Sequence, residues 1–467
     1  MATVDLLTNS FVGSVEHASE LYLLDRYRVG DGSFEYKNWL FPDKTIDLHG
    51  KSIRVATFYI NPHMLIKEAK NRTFSMDGLD GFILVEFCRK RNCTIELIKD
   101  EAMWGDIQPN RTGNGILGNL VERRADVGVG ALSSWYHCYQ YLTFSTPIQL
   151  GIVTCLAPKP NLLPRWTMLT MGFSTSVYLT IFGTYCSVVS IYMLIAHFMM
   201  RKIQKRSVAW NILNVHAIFL LQATNVRNRS ASEAILSLTL LLFCLNLGSI
   251  YSGKYASLLT VPMYEPTIDS MVDLSESGIP WLQAHEAWSF SLVLSKNPTT
   301  VKLVSNFRVY PPSELHRIAD DGGSAFAMGR LHNGHLMLGN WITADNIHKY
   351  RLMKEELYYE HEVAMGTKTW PLMEAFNEII GQMASAQLLM AQELRIIYQY
   401  NDYYVQTVAL NSHKQTAIAP KVLGLEDILR GLFVLGLGLL CAGAMFVLES
   451  MHVRKSHADQ IRFSNGL

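Results

Sequence analysis

The sequence predicts a membrane protein in which a bilobed α/β module is split by a pore unit and joined to three transmembrane helices and one re-entrant loop. Three observations predict it. Of 467 residues, 49% are hydrophobic and only 17% charged, below the roughly 25% charged residues of a soluble chain. A mean hydropathy of +0.12 is too apolar for an ordinary soluble enzyme and too polar for a bundle of many spans. Three uncharged apolar runs approach or exceed the ~20 residues that cross a bilayer, and the long stretches beside them alternate strand-like and helix-like patterns. Lys+Arg 41 against Asp+Glu 40 leaves a net charge of +1, so no basic footprint for nucleic acid is present.

Residues 1–50 form an N-terminal segment that the topology places outside the cell. No basic stretch followed by an apolar one marks a signal peptide within residues 1–30, so an upstream portion is expected to be missing. Residues 51–164 read as the first half of the soluble module. Ile53–Tyr59 has the β-branched and aromatic character of a strand, and Gly81–Lys90 has helical apolar spacing at Phe82, Leu84, Val85 and Phe87. A strand follows at Thr94–Ile98, a helix at Leu117–Arg124 and a buried strand at Val127–Gly130. Such alternation implies an α/β domain whose ligands lie beyond the carboxyl ends of its strands. Cys88 and Cys93 are either a disulfide or two free thiols.

The first span, residues 176–200, lies within 35 residues that contain no Asp, Glu, Lys or Arg. Residues 234–258 and 428–448 are the second and third. Between the first two, residues 207–226 are also uncharged but carry Asn211, Asn214, His216, Gln222, Thr224 and Asn225. Polar side chains at membrane depth survive only where they line water or are buried in protein, so this segment is expected to be a re-entrant loop. Residues 264–424 read as the second half of the soluble module, with a strand at Gly323–Met328 and one or two helices over Pro371–Tyr400. The methionine-rich run Met383–Met390 is expected in the core.

Charge asymmetry sets the orientation. Arg201, Lys202, Lys205 and Arg206 follow the first span, and Arg454, Lys455 and Arg462 lie in the tail 449–467 after the last. Both clusters belong on the cytoplasmic side, which three crossings allow and four do not. The N-terminus is then outside and the C-terminus inside. Sequons at Asn71, Asn92 and Asn110 precede the first span, where glycosylation is possible; that at Asn228 would be cytoplasmic and unused.

The order of these parts resembles the ionotropic glutamate receptor family, and within it the variant ionotropic receptors of insect chemosensory neurons, over about residues 51–455. Tyr251–Val261 reads Y-S-G-K-Y-A-S-L-L-T-V and resembles the family gate motif Y-T-A-N-L-A-A-F-L-T-V, with five of eleven positions identical. Ala125-Asp126 resembles the family's R-A-D, and Phe144–Pro147 its F-S-x-P. The resemblance implies a periplasmic-binding-protein-like clamshell. It also implies a gate at Tyr251, Ala256, Leu259, Thr260 and Val261, and a selectivity position at Leu221, Gln222 and Ala223. Gln222 offers a carbonyl dipole to a dehydrating cation, so a cation pore of modest calcium preference is expected. Arg227 and Arg229 read as topology anchors near the cytoplasmic mouth.

In glutamate-binding members an Arg after a P-L-T motif grips the ligand carboxylate, and an acidic residue in the second lobe grips the amine. Counting back from Phe144 without a gap, Ala131–Ser133 replaces P-L-T and Cys138 stands at the Arg position. Ala325–Arg330 resembles A-F-L-x-E-S and puts Gly329 at the acidic position. A free amino acid in a closed cleft would leave its charges unpaired, at a cost of several kcal/mol each, so glutamate is a poor candidate. The expected pocket is Ser133, Ser134, Trp135, Tyr136 and Cys138 on one lobe with Phe326, Gly329 and Arg330 on the other, suited to a small, weakly polar molecule. Ordinary packing of Trp135 and Tyr136, and a solvated Arg330, are the competing readings. The family's second-lobe disulfide lacks its cysteines.

The resemblance further implies lobe closure that pulls the linker Leu259–Pro266 on the gate, in a tetramer containing co-receptor subunits, at the plasma membrane of sensory dendrites or cilia. A chain gated by temperature or humidity, without a small-molecule agonist, and an auxiliary non-conducting subunit are the alternatives. A transporter would need more helices and repeats. His332–His335 and Glu360–Glu362 lack the spacing of a zinc protease site, so neither an enzyme, a metal nor a cofactor is expected.

Overall fold

The strand Lys51–Thr57 buries Ile53, Val55, Ala56 and Thr57, because parallel neighbours flank it on both sides, Cys93–Lys99 and Val127–Gly128. A central parallel strand is covered on both faces and must be apolar on both. It is the second strand of a five-stranded sheet in the order Cys93–Lys99, Lys51–Thr57, Val127–Gly128, Met365–Thr367, Leu142–Phe144. The computed structural model describes residues 2–9, 21–68, 74–163, 170–199, 208–222, 231–261, 263–414 and 425–464. The chain divides into two units, Met1–Lys159 with Thr267–Lys414 and Pro160–Pro266 with Gln415–Leu467.

Within the first unit a second sheet follows the order Phe307–Val309, Trp281–Gln283, Ala325–Arg330, Gln149–Pro158, Tyr350–Leu352, and Tyr358–Glu362 pairs along Gln149–Val153. The sequence blocks on either side of the membrane segments do not coincide with the two sheets. Gln149–Pro158, from the first block, is central to the second sheet, while Met365–Thr367, from the second block, lies inside the first. The chain crosses between sheets twice, at residues 144–149 and 362–365. The crossings run side by side: Ser145 N–H donates to the Ala364 carbonyl at 2.9 Å and Ile148 N–H to that of Glu362 at 2.8 Å.

Helices cover the first sheet from both blocks. Leu79–Arg91 contributes Ile83, Leu84 and Phe87, and Met373–Ser385 contributes Phe376, Ile379, Ile380 and Met383, to one core. Phe87 and Phe376 meet edge to face at 5.2 Å. Pro371–Tyr400 thus holds two helices, Met373–Ser385 and Leu388–Tyr400; of the run expected in the core, Met383 is buried, residues 384–388 are exposed and Met390 is half-buried. The helix expected over residues 117–124 runs Gly115–Val121 instead; Arg123 takes a φ of +60°, a left-handed conformation that ends it. Cys88 and Cys93 are bonded to each other. Thr3–Asn9, Leu21–Arg28 and Ser33–Phe34 add an antiparallel sheet that the sequence reading left without structure.

In the second unit, Thr175–Met199, Ala231–Thr260 and Leu425–Ser464 are helices. Their apolar portions, Thr175–Ile195, Ala231–Leu258 and Gly431–Met451, are long enough to cross a membrane. Thr180, Thr184, Ser187 and Ser190 each donate to the carbonyl four residues back, which satisfies their hydroxyls within the helix. Between the first two lies the shorter helix Val208–Phe219, whose Val215 and Ile218 pack with Val188, Tyr192, Leu240 and Cys244. Its Asn211 and Asn214 are buried. The linkers that enter and leave this helical set pair with each other, Leu162 bridging Tyr264 and Leu163 N–H donating to the Met263 carbonyl at 2.8 Å.

Candidate functional site

Strand alternation decides what the second crossing presents. In Tyr358–Glu362, Glu360 and Glu362 share a face two residues apart. The loop from Gly130 to Trp135 lies against them: Ser133 bridges Glu362, and Val363 N–H donates to the Leu132 carbonyl at 2.8 Å. Asp80, at the start of the helix Leu79–Arg91, fixes this loop by accepting the Ala131 N–H at 3.0 Å.

The two crossings and the edges of the two sheets enclose a cleft of about 420 Å³, a volume that includes some open solvent. Trp104, Ser133 and Trp135 come from the first sheet's side, Trp288, Gly329 and Met337 from the second, and Glu360 and Glu362 from the crossing. Trp104 is held by donating its indole N–H to the Gly130 carbonyl at 2.8 Å, and it meets Trp288 edge to face at 6.2 Å. A wider hollow of about 910 Å³, also partly solvent, adjoins the cleft and shares Trp104, Trp288 and Met337 with it. The lining of both contains no Lys or Arg; its carboxylates are Glu360 and Glu362.

Glu362 accepts from the Gln149 amide at 2.6 Å, and its carboxylate lies 3.7 Å from Nε2 of His63. His63 is fully buried, with Nδ1 3.6 Å from Asp80. Burial alone would lower the His63 pKa, but the Glu362 and Asp80 carboxylates outweigh it and raise it to about 9. Burial pushes Glu362 up to about 7, against the pull of His63. Glu360 is different. It accepts from the Ser291 hydroxyl at 2.6 Å, and no basic group among the described residues forms an ion pair with it. Burial raises its carboxyl above the usual range, opposed by the hydroxyls of Ser133 and Ser291 and the indole of Trp135. Gly151 makes room for this arrangement, since a Cβ there would sit 3.0 Å from the Glu362 carboxylate.

Of the residues expected in the pocket, the structure brings Ser133, Trp135 and Gly329 together in the cleft. A Cβ at Gly329 would lie 2.6 Å from Sδ of Met337, so Met337 closes the place where the family's acid would project. Ser134 is exposed and Tyr136 is 70% exposed, so neither lines the cleft. Cys138 and Phe326 are corrections. Both are fully buried core residues, Cys138 among Leu132 and Leu142 and Phe326 edge to face with Tyr350 at 5.6 Å. Strand alternation turns Phe326 away from the face that carries Gly329, and burial pushes the Cys138 thiol well up. Arg330 is half-buried, and its Nη1 pairs with Glu356 at 2.5 Å. Sequence reasoning missed Glu360 and Glu362, weighed only as a zinc site and set aside, and also His63, Trp104 and Trp288. The alternation in Tyr358–Glu362 was the one available signal.

In the second unit, Leu221 and Gln222 follow the short helix and are exposed, with Leu221 at a φ of +52°; Ala223 lies outside the described residues. Tyr251, Ala256 and Thr260 lie in the helix Ala231–Thr260 with the backbone of Leu259, whose side chain is outside the description, and Val261 follows its end. The Tyr251 ring is 5.6 Å from that of Phe173, and Thr260 donates to the Ala256 carbonyl at 3.1 Å. Asn92 and Asn110 are exposed, while Asn71 lies outside the described residues, as do Arg201, Arg227 and Asn228.

No family profile matches the chain. Individual proteins do. The mouse "Glutamate receptor ionotropic, kainate 4" is 24% identical over 283 residues, 56% of this chain and 29% of that protein. The mouse "Glutamate receptor ionotropic, delta-2" is 26% identical over 259 residues, 52% and 25% of the two chains. The chain is similar to the ionotropic glutamate receptors. Mouse kainate 5 repeats the match at 23% over 254 residues, 49% of this chain. The match spans between a quarter and three-tenths of these relatives' own length. Their names describe receptors and not enzymes, and the chain is likewise glutamate-receptor-like. That kinship and the three apolar helices fit a membrane protein.

Proposed function

We propose that the chain is a subunit of a ligand-gated cation channel, related to the insect variant ionotropic receptors and not gated by glutamate. The observation that carries this reading is the order of parts along a glutamate-receptor-like chain. Two crossed sheets surround a cleft, and their chain is interrupted by an apolar helix, a short polar-bearing helix ending at Gln222 and a second apolar helix. A third apolar helix follows. In this account the sheets are the two lobes of a periplasmic-binding-protein-like clamshell and the paired crossings are its hinge. Residues 207–226 form a re-entrant pore loop with Leu221, Gln222 and Ala223 at its selectivity position. Closure would draw on the paired linkers around Leu162 and Tyr264 and spread the gate formed by Tyr251, Ala256, Leu259, Thr260 and Val261.

The loss of glutamate recognition rests on the cleft's chemistry. No Arg lines it, the expected Arg position is the core residue Cys138, and the expected acidic position is a glycine closed by Met337. A guanidinium fork is the natural partner of an α-carboxylate, and Glu360 and Glu362 would repel one. The chain would act as a tuning subunit in a tetramer with co-receptor subunits, N-terminus outside, in the plasma membrane of a sensory neuron. Whole-cell recording with this chain, alone and with insect co-receptor subunits, tests the reading under volatile amines, acids, tastants, glutamate and temperature steps. Stimulus-evoked cation current that requires this chain and is absent with glutamate is expected; glutamate-evoked current overturns the specificity. Surface-delivered chain with no current under any condition overturns the channel assignment.

A further inference from the structure

The cleft's own chemistry points to a class of ligand. Glu360 is surrounded by neutral donors, the Ser291 hydroxyl at 2.6 Å, Ser133 and Trp135, with no basic group of the described residues paired to it. Glu362 is 8% exposed, directs Oε2 to Gln149 and His63, and holds Oε1 against Gly151 with no hydrogen bond among the described residues. The Trp135 indole N–H is buried and forms no hydrogen bond of normal geometry, although it lies close enough to Glu360 to favour its charged form. His285, against Trp104 at 5.4 Å, is held below its ordinary range by burial and brings no charge at neutral pH. Among the described residues the cation behind this wall is His63, already shared between Asp80 and Glu362.

We propose that the cleft takes a small organic ammonium with an apolar, ring-bearing tail, its charged head between Glu360 and Glu362 and its tail against Trp104, Trp288 and Met337. An ammonium supplies the positive partner that Glu360 lacks, and the same head gains from the faces of neighbouring tryptophans. A carboxylic acid would add a third negative group beside two carboxylates, and a neutral molecule would leave the cost of burying Glu360 unrelieved. The shared Trp104, Trp288 and Met337 make the adjoining hollow a continuous apolar path for the tail. This proposal rests on the reading of the first unit as the ligand-binding half of a channel, and binding is therefore measured apart from current.

The experiment uses the purified full chain in detergent, with phenethylamine, its uncharged isostere 2-phenylethanol and the acid phenylacetate as probes, followed by calorimetry and tryptophan fluorescence at about pH 8, where a free Glu is ionised. Phenethylamine is expected to bind at least about tenfold more tightly than 2-phenylethanol, the discrimination of a single charged contact, and phenylacetate least tightly of the three. Glu360→Gln should erase that tenfold preference by weakening phenethylamine binding. The three-probe comparison on the unaltered chain stands even where the variant misfolds. Equal binding of amine and alcohol, preference for the acid, or binding of none of the three overturns the proposal. Amine binding with no current under any co-receptor supports the cleft assignment and counts against the channel; acid-evoked current without amine binding does the reverse.

Discussion

Replacing His63 by glutamine removes the positive charge that holds two buried carboxylates beside the second crossing. Its nitrogens lie 3.6 Å from Asp80 and 3.7 Å from Glu362. At an effective dielectric of ~20, each contact is worth about 4–5 kcal/mol of Coulomb energy, and the desolvation of a buried cation offsets several kcal/mol of that. Breaking such a group by removing one partner costs about 3–5 kcal/mol, because the carboxylates remain buried and uncompensated. Denaturant unfolding of the full chain, read by tryptophan fluorescence at neutral pH, measures the loss. A cycle with Glu362→Gln isolates it: the double variant should be more stable than the sum of the single losses by at least about 1 kcal/mol. The pH dependence has a definite sign. His63, raised from 6.5 to about 9 when folded, contributes stability in full below 6.5 and loses it as pH rises through about 9. Glu362, raised from 4.5 to about 7, likewise favours folding below 4.5 and loses that contribution as pH rises through 7. The first unit therefore weakens with alkalinity, and His63→Gln should remove the upper arm of that decline. A His63→Gln effect under about 0.5 kcal/mol, or losses that add within that margin, refutes the reasoning.

Phe376→Ala, which empties a fully buried site facing Phe87, should cost about 3–5 kcal/mol, and a cycle with Phe87→Ala should show coupling of about 0.5–1.5 kcal/mol. Additive losses would contradict the packing of the second block's helix on the first sheet. Reduction of Cys88–Cys93, a short loop spanning a sequence separation of 5, should cost only about 2 kcal/mol, visible as a modest drop in the unfolding midpoint with reductant. Asn110 is exposed and accepts from the Thr112 hydroxyl at 2.6 Å; Asn110→Gln should remove one glycosidase-sensitive mass step, if the first unit is extracellular as the topology has it.

What the sequence made legible was local. The uncharged runs that became Thr175–Met199 and Ala231–Thr260 show in composition alone, and the strand at Ile53 shows in its β-branched pattern. The partners of Gln149–Pro158 do not, because its neighbours Ala325–Arg330 and Tyr350–Leu352 lie some 170 residues or more away, across the membrane segments. The cleft suffered in the same way. An ungapped alignment put Cys138 and Phe326 at the site, but which face of a helix or strand looks into a cleft depends on what packs behind it, and Leu132, Leu142 and Tyr350 claim those side chains for the core. Gly329 was legible by position, yet what closes it is Met337, from a neighbouring strand. Glu360 and Glu362 gain meaning only once the second crossing turns their shared face toward Trp135 and Trp288.

Relative cation permeability is the most direct test of the account's central claim, that this chain lines a cation pore. Reversal potentials for sodium, potassium and calcium would be compared between the unaltered chain and Gln222→Ala, each with the same co-receptor subunits and stimulus. The account predicts evoked current in both, with permeability ratios shifted by the substitution, because Gln222 stands at the exposed turn after Val208–Phe219 and offers its carbonyl to passing ions. Evoked current whose reversal potentials are identical in every solution would contradict it and make this chain a subunit that stands outside the pore.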